Sequence, residues 1–422
     1  MNSPKRDGEN DVPFKDPIKY GELVILGYNG SLPSGDRGRR KSRFALYQRG
    51  KANGVKPSTV HILNTPQDSK ALHSRGQHSI SYTMSRNQTV VVEYCHDDNT
   101  DMFQIGRSTE SPIDFVVTDT SGGGKEGEDP TIAPSTISRF ACRVVCERNP
   151  PYTARIYAAG FDSSKNIFLG EKATKWKNPD GHMDGLTTNG VLVMHPEGFP
   201  EDPKQGLWRE ISVCGDVYTL RETRSGPSRG KLAEGESSAL RDGSLVDLCG
   251  ATLLWRTGEG LMRAPTLRHL EALRQELNAS RPQCPVGLST LAFPSLLEER
   301  QPWVYLTCGH VHGRHDWGQR SEGEEEPGES EHTARRECPL CRSVGPYVPL
   351  WLGCEPAVYA DAGAPSHGFV PCGHVCSERT AKYWAETPLP HGTHAFRPIC
   401  PFCSTALSSP GWTRLIFQGP ID

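Results

Sequence analysis

The composition of this 422-residue chain excludes several classes of protein. Its 47 basic and 50 acidic side chains give a net charge of −3, which argues against bulk electrostatic binding to nucleic acid or to an anionic membrane. No segment approaches the roughly 18 consecutive apolar residues of a membrane span, and the polar start lacks the apolar run of a signal peptide. We therefore expect a cytoplasmic protein, without membrane insertion, whose residues 1–18 form a disordered arm.

Residues 19–260 alternate short apolar runs with turns, which predicts a β-sandwich. In "FACRVVCE", every second residue is apolar, the period of a half-buried strand, so Cys142 and Cys146 are predicted to be core residues. The segments 121–134 and 162–185 are rich in polar and turn residues, and we expect them to be insertions that enlarge the sandwich.

Residues 261–282 are predicted to form a helix that links the two halves of the chain. Thr266 is a suitable N-cap, and Pro282 lies just past the predicted end. Apolar residues recur every three or four positions, at Leu267, Leu270, Leu273 and Leu277.

Residues 283–422 contain nine of the fourteen cysteines, in a pattern typical of metal ligands. Cys-Gly-His occurs twice, and a Cys-Pro-x-Cys follows each copy about thirty residues later. Four such pairs supply eight thiolate and imidazole ligands, enough for two closed tetrahedral sites that favour Zn²⁺. No catalytic zinc motif is present, so we expect two structural Zn²⁺ ions. The eight predicted ligands are Cys308, His310, Cys338, Cys341, Cys372, His374, Cys400 and Cys403.

Spacing alone does not determine how these ligands pair. A conventional RING would begin with Cys338, Cys341, Cys372 and His374 and would then need a further pair before Cys400, which this sequence lacks. The segment therefore resembles a RING whose ligand order has been altered. Each repeat could hold its own ion, or the pairs could alternate between two ions. Further residues that could replace one of the ligands are Cys284, Cys354, Cys376, His312, His315, His391 and His394.

Three motifs in the first half, "GR", "SRFA" and "TTNG", occur in the order found in the forkhead-associated (FHA) domain, which this half resembles. In that family they lie on loops at one end of a sandwich and bind phosphothreonine, where guanidinium, hydroxyl and amide groups suit a phosphate. The family's histidine after Ser-Arg-x is Ala141 here. The resemblance implies phosphothreonine contacts from Arg107, Ser138, Arg139, Thr188 and Asn189.

Taken together, the chain resembles the Pellino family of RING-like ubiquitin ligases over nearly its whole length. The strings "DGLTTNGVLVMHP", "CGHVHG", "GPYVPLWLGCE" and "RLIFQGPID" carry this resemblance. It implies recognition of phosphorylated interleukin-1-receptor-associated kinases in interleukin-1/Toll receptor signalling, and docking of a ubiquitin-conjugating enzyme that carries ubiquitin. The nearest matches to the apolar docking residues of RING domains are Leu340, Trp384 and Pro401, for which packing around the metal is an equal alternative.

We therefore predict a mainly β protein, with an enlarged FHA-like β-sandwich followed by a small zinc-stabilised RING-like domain. The leading hypothesis is a phosphothreonine-directed ubiquitin ligase. The alternative is a non-enzymatic adaptor that binds phosphopeptides and zinc. A zinc-dependent nucleic-acid module is disfavoured by the net charge, and the basic run at 35–43 lacks the interleaved aromatic residues of such a site.

Overall fold

The structure is a computed structural model, and it describes residues 17–28, 42–64, 76–120, 135–199, 204–294, 300–318, 335–392 and 395–419. Within these ranges strands predominate, which confirms the predicted mainly β class. The predicted arm at 1–18, apart from its last two residues, and the predicted insertion at 121–134 lie outside the described residues, as does most of the basic run at 35–43.

Among the described residues of the first half, the regular elements are strands. In chain order they are β1 (Lys19–Ile25), β2 (Arg43–Tyr47), β3 (Gly54–Leu63), β4 (His78–Ser85), β5 (Gln88–Asp97), β6 (Thr100–Gly106), β7 (Phe115–Val116), β8 (Cys142–Glu147), β9 (Ala154–Ala158), β10 (Asn166–Leu169), β11 (Lys175–Lys177), β12 (Met183–Gly185), β13 (Val191–Met194), β14 (Trp208–Ile211), β15 (Val217–Tyr218), β16 (Leu245–Asp247) and β17 (Thr252–Thr257).

Two sheets form the sandwich around one apolar core. A seven-stranded sheet in the order β15-β14-β13-β16-β17-β1-β2 faces a four-stranded sheet in the order β7-β6-β8-β9. Cys142 and Cys146 on β8 are fully buried in that core, as the alternation in the sequence predicted. On β1, Leu23 and Ile25 face the same core.

A third sheet enlarges the sandwich. Strands β10-β4-β5-β3 form it, with β4 and β5 as an antiparallel hairpin and β10 parallel to β4. Ile80 and Tyr82 on β4 join the main core, whereas Ile62 on β3 is exposed. The segment 162–185, predicted to be a polar insertion, is an ordered part of the fold because it supplies β10 to this sheet and the hairpin β11–β12.

Two helices follow the sandwich, α1 (Gly258–Arg263) and α2 (Leu267–Ala279). Helix α2 lies within the predicted linker at 261–282. Its predicted N-cap is confirmed, because the Thr266 side chain accepts a hydrogen bond from the backbone N–H of His269. None of the described helices has the length and apolar character that crossing a membrane would require.

The described elements of the last third of the chain are short strands, one 3₁₀ helix and one α-helix. They are β18 (Trp303–Tyr305), β19 (Val311–His312), β20 (Arg335–Glu337), β21 (Val344–Pro349), β22 (Trp351–Leu352), a 3₁₀ helix (Pro356–Val358), β23 (His367–Phe369), β24 (His374–Cys376), α3 (Glu378–Glu386), β25 (Leu389–His391), β26 (Ala395–Arg397) and β27 (Trp412–Arg414). The sheets are β19-β18-β21-β20 and β22-β24-β23-β27, with β25–β26 as a separate hairpin.

The seven-stranded sheet is covered on its outer face by this last third. Val24 and Leu26 of the first apolar run share a buried cluster with Phe369, Trp384 and Phe402. Both faces of β1 are therefore buried, which explains why "LVIL" is continuously apolar instead of alternating. The contact between the two halves is a second apolar core.

Candidate metal centres and phosphate site

The first Cys/His repeat gathers its four predicted ligands at one point. The ligand atoms of Cys308, His310, Cys338 and Cys341 all lie within 4.8 Å of one another. His310 Nδ1 is 3.3 Å from the sulfur of Cys308 and 3.7 Å from that of Cys338. Two atoms bound tetrahedrally to a metal at 2.0–2.3 Å lie roughly 3.3–3.8 Å apart. The group therefore has the dimensions of a four-ligand metal site.

The second repeat forms an equivalent group from Cys372, His374, Cys400 and Cys403, again within 4.8 Å. His374 is buried, and neither of its ring nitrogens has a hydrogen-bond partner among the described residues. An unpaired buried imidazole is costly, and coordination of a metal by one nitrogen would remove most of that cost. Of the two arrangements that the sequence left open, the structure shows the one in which each repeat gathers its own four candidate ligands.

The glycine of each Cys-Gly-His is required by the backbone. Gly309 and Gly373 have φ of +78° and +73°, in the left-handed region that favours glycine. A Cβ at Gly309 would lie 1.9 Å from the carbonyl oxygen of Arg414, and one at Gly373 would lie 2.3 Å from that of Pro349. The repeated glycine therefore lets the chain turn tightly between two ligands against a neighbouring strand.

Each Cys-Pro-x-Cys forms a turn that we call a knuckle, the first at 338–343 and the second at 400–405. In the first, the Arg342 N–H donates to the carbonyl of Cys338 at 2.7 Å; in the second, the Ser404 N–H donates to that of Cys400 at 2.9 Å. Arg342 and Ser404 have φ of +62° and +61°. In both knuckles the N–H of the first cysteine donates to the carbonyl five residues later at 2.9 Å.

The thiols of both groups have pKa values shifted from the ordinary value of a cysteine. Burial raises the pKa of the Cys308 thiol to about 12 and that of the Cys400 thiol well above its ordinary value. Cys403 differs, because hydrogen bonds from Cys372 and Cys400 hold the pKa of its thiol well below the ordinary value. A bound divalent cation would deprotonate the sulfurs and compensate their charge, so metal binding should release protons.

The seven other candidate ligands have three different outcomes. Cys354, Cys376 and His391 belong to no Cys/His group among the described residues, and Cys376 lies in the apolar core between the two halves. His394 lies outside the described residues. Cys284, His312 and His315 come together as a separate third group.

Three loops at one end of the sandwich carry the predicted phosphothreonine contacts. The Arg107 backbone N–H donates to the Ser138 carbonyl at 3.2 Å, and its side-chain Nε donates to the Ile137 carbonyl at 2.7 Å. The Asn189 side-chain amide donates to the Thr136 carbonyl and lies 3.5 Å from the Ser138 hydroxyl. These contacts join the loops that hold Arg107, Ser138 and Asn189.

The remaining two predicted contacts lie on the same loops. Thr188 is exposed beside Asn189. Arg139 is exposed but forms an ion pair with Glu110, whose carboxylate also accepts a hydrogen bond from Ser163. That hydrogen bond and the ion pair lower the pKa of Glu110. A phosphate that used Arg139 would therefore have to compete with a carboxylate already in place.

The "TTNG" loop rests on two buried arginines that the sequence analysis did not identify. Arg221 donates to the Thr187 carbonyl at 2.9 Å and makes two bonds to Glu210, at 2.6 and 3.0 Å. Arg224 donates to the Asn189 carbonyl at 3.1 Å and pairs with Asp247. An arginine in the short run "LRETRSG" gives no periodic signal of burial, so only the fold shows that these side chains hold the loop.

The predicted docking residues differ in exposure. Leu340, in the first knuckle, is 48% exposed, whereas Trp384 is fully buried and its Nε1 donates to the Val358 carbonyl at 2.9 Å. Pro401 is buried too, and its carbonyl accepts a hydrogen bond from the N–H of Gly27 at 2.8 Å. Of the three predicted docking residues, Leu340 is therefore exposed, whereas Trp384 and Pro401 are buried, as the alternative of packing around the metal would have them.

Both halves of the chain match models of known protein families. The family model described as "Pellino, FHA domain" matches residues 12–273, and "Pellino, RING domain" matches residues 277–422. E3 ubiquitin-protein ligase pellino homolog 2 of Homo sapiens is 70% identical over 100% of both chains. E3 ubiquitin-protein ligase pellino homolog 3 of Mus musculus is 66% identical over 98% of this chain and 93% of its own. Protein pellino of Drosophila melanogaster is 56% identical over 97% and 95%. The chain therefore belongs to the Pellino family of E3 ubiquitin-protein ligases, with an FHA domain followed by a RING domain.

Proposed function

We propose that this ligase recognises phosphothreonine at the three joined loops of its FHA domain. The observation that carries the proposal is the exposed Arg107 guanidinium, which its Nε bond to the Ile137 carbonyl holds on the loop that also carries Ser138 and that Asn189 contacts. A guanidinium fixed in this way retains N–H donors for a phosphate, and fixing it beforehand lowers the entropy cost of binding. Thr188 and Asn189 would contact the peptide backbone next to the phosphate.

Calorimetry with a phosphothreonine peptide and its unphosphorylated twin tests this proposal. We expect Arg107→Ala to lower the affinity at least tenfold, because hydrogen bonds to charged groups contribute about 1.5–3 kcal/mol. Arg86→Ala removes another exposed arginine, on the turn between β4 and β5, and serves as the control. Equal affinities of the two variants for the phosphopeptide would exclude Arg107 from the site.

We propose further that the two four-ligand groups hold structural Zn²⁺ ions. Soft thiolates with imidazole in a closed tetrahedral set favour this metal over hard cations, and its coordination energy would supply folding free energy to a domain of short strands. The ions themselves do no chemistry in this scheme. The RING domain instead docks a conjugating enzyme and holds its ubiquitin thioester in an attack geometry, which is catalysis by proximity and orientation.

The docking surface that we propose contains Leu340, the exposed member of the three candidate residues. Reconstituted ubiquitin transfer, with and without a zinc chelator, tests the ligase. Cys338→Ala removes a ligand and should abolish transfer, whereas Cys95→Ala alters an exposed cysteine of the FHA domain and should leave it unchanged. Zinc-loaded Leu340→Ala protein should transfer ubiquitin more slowly. A folded, zinc-loaded chain inactive with every conjugating enzyme would favour the non-enzymatic adaptor.

In the cell, we propose that the phosphorylated partners are interleukin-1-receptor-associated kinases, and that the chain acts in the cytoplasm in interleukin-1/Toll receptor signalling. The support is the family to which the chain belongs, together with the exposed Arg107 described above. Co-precipitation of these kinases with the wild-type chain and with Arg107→Ala, before and after phosphatase treatment, tests this. Capture that survives phosphatase treatment would contradict phosphothreonine-directed recruitment.

A further inference from the structure

The RING domain contains a third Cys/His group outside the two described above. The ligand atoms of Cys284, His312 and His315 lie within 4.8 Å of one another. Cys284 and His312 are almost completely buried, at 1% and 0% exposure. One buried sulfur that faces two imidazoles is a ligand set that suits a soft or borderline divalent metal.

Cys284 stands in a third knuckle whose backbone matches the other two. In "CPVGLS" (284–289), the Leu288 N–H donates to the Cys284 carbonyl at 2.9 Å, and the Cys284 N–H donates to the Ser289 carbonyl at 2.9 Å. Leu288 has a positive φ of +49°, like Arg342 and Ser404 at the same position of the other two knuckles. The Gly287 N–H, at 3.2 Å, points to the Cys284 sulfur and would stabilise a thiolate there. The chain therefore builds the same turn three times and places a cysteine at its first position each time.

The two histidines face each other at the separation that a shared ion would impose. His312 Nδ1 and His315 Nε2 are 3.4 Å apart. Two nitrogens bound tetrahedrally at 2.0–2.1 Å lie roughly 3.3–3.4 Å apart.

The other nitrogen of His312 links this group to the first metal centre. His312 Nε2 lies 3.9 Å from the sulfur of Cys338, a ligand in the first repeat. An imidazole that coordinates through Nδ1 carries its proton on Nε2 and can donate it to that sulfur. Such outer contacts orient metal ligands and tune neighbouring thiolates. Tyr305 packs edge-on against His312, with ring centroids 5.1 Å apart, and limits the ring's freedom further.

We propose that Cys284, His312 and His315 bind a third Zn²⁺ ion. Gly287 stands where the other knuckles have their second cysteine, so the described residues leave one tetrahedral position for water. The ion would tie the start of the RING domain, at Cys284, to strand β19 and thus to the first repeat. This proposal concerns metal content and is independent of phosphothreonine binding and of ubiquitin transfer.

The test is the zinc content of the full chain, measured by mass spectrometry after saturation with Zn²⁺ and removal of free metal. We expect three ions per wild-type chain and two in both Cys284→Ser and His315→Ala. Gly287→Cys should keep three and release the third more slowly to a competing chelator. Its new Cβ would lie 3.8 Å from the Cys284 sulfur, in ordinary contact, so a fourth ligand fits.

Cys376→Ala is the matched control, because it removes a buried RING-domain cysteine outside the three groups and should leave three ions. A wild-type count of two overturns the proposal whatever the variants show. So does a count of three that persists in both Cys284→Ser and His315→Ala. Cobalt substitution gives an independent reading, because the third ion should contribute absorption from one thiolate, against three at each other site.

Discussion

The repeated glycine between two ligands provides the sharpest test of the metal centres. In Gly309→Ala, the new Cβ would lie 1.9 Å from the Arg414 carbonyl, and Cβ atoms are essentially never found within 3.0 Å of such an atom. The backbone must therefore shift by about 1.1 Å, the difference of these two distances, whereas metal sites tolerate about 0.2 Å. A left-handed alanine adds a further cost of about 1–2 kcal/mol. We expect the chain to lose at least the metal ion of the first group.

The control for this prediction separates the backbone contact from conformational strain. Gly235 in the FHA domain has the same φ of +78°, but a Cβ there would meet no atom within 4 Å. Gly235→Ala should therefore retain every metal ion. Gly373→Ala, with its contact at 2.3 Å, should lose the ion of the second group. Metal content by mass spectrometry decides the matter, and Gly309→Ala protein with the same content as Gly235→Ala would refute the reasoning.

Three further predictions concern the FHA domain. Arg221→Ala should lower the free energy of unfolding of the FHA domain by about 3–5 kcal/mol in denaturant unfolding, because the buried Glu210 carboxylate loses its ion-pair partner. A smaller loss would mean that water reaches this carboxylate. Burial, together with nearby cations, lowers the pKa of His78 to about 4, so its imidazole stays neutral in the fold. The histidine of an unfolded chain has a pKa of about 6.5. The unfolded state therefore gains a proton at His78 before the folded state does, so the stability of the fold is highest above about pH 6.5 and declines as the pH falls to about 4. In His78→Phe, the free energy of unfolding should fall less steeply between about pH 6.5 and about pH 4. The same pH dependence as in the wild type would contradict this prediction. Cys146→Ser should cost about 1–3 kcal/mol by burying a hydroxyl, whereas exposed Cys95→Ser should be neutral in the same unfolding assay.

The parts of the fold that the sequence predicted are those with a local physical cause. The alternation in "FACRVVCE" predicts a strand with buried Cys142 and Cys146, because side chains alternate between faces whatever the partner strand. Thr266 was identifiable as an N-cap because capping needs only the next turn of the helix. The members of the two four-residue Cys/His groups were likewise identifiable from spacing, because the two residues of each pair must be able to reach one ion.

The parts that could not be predicted depend on contacts between distant segments. The third sheet pairs β10 with β4, whose paired residues lie 87 positions apart in the chain, and no local pattern specifies that parallel register. Trp384 and Pro401 match docking residues of a RING pattern, but Trp384 lies in an apolar cluster shared with the FHA domain, and the Pro401 carbonyl accepts a hydrogen bond from Gly27. The third knuckle was obscured because Gly287 breaks the Cys-x-x-Cys spacing, although the backbone hydrogen bonds are the same.

Because, among the described residues, the second repeat is covered by the FHA domain and the first is not, we expect the two proposed metal centres to have different roles. The second knuckle lies in the contact with the FHA domain, where the Pro401 carbonyl bonds Gly27 and a Cβ on Gly27 would strike the Ser404 hydroxyl at 1.8 Å. Metal loss there would also disrupt the contact between the domains. Around the first repeat, by contrast, the apolar clusters of the described residues contain only RING-domain side chains. Leu340 remains exposed on that repeat, so a partner can bind there without separating the two domains. The same local turn thus stabilises the domain contact in one repeat and leaves a surface open in the other.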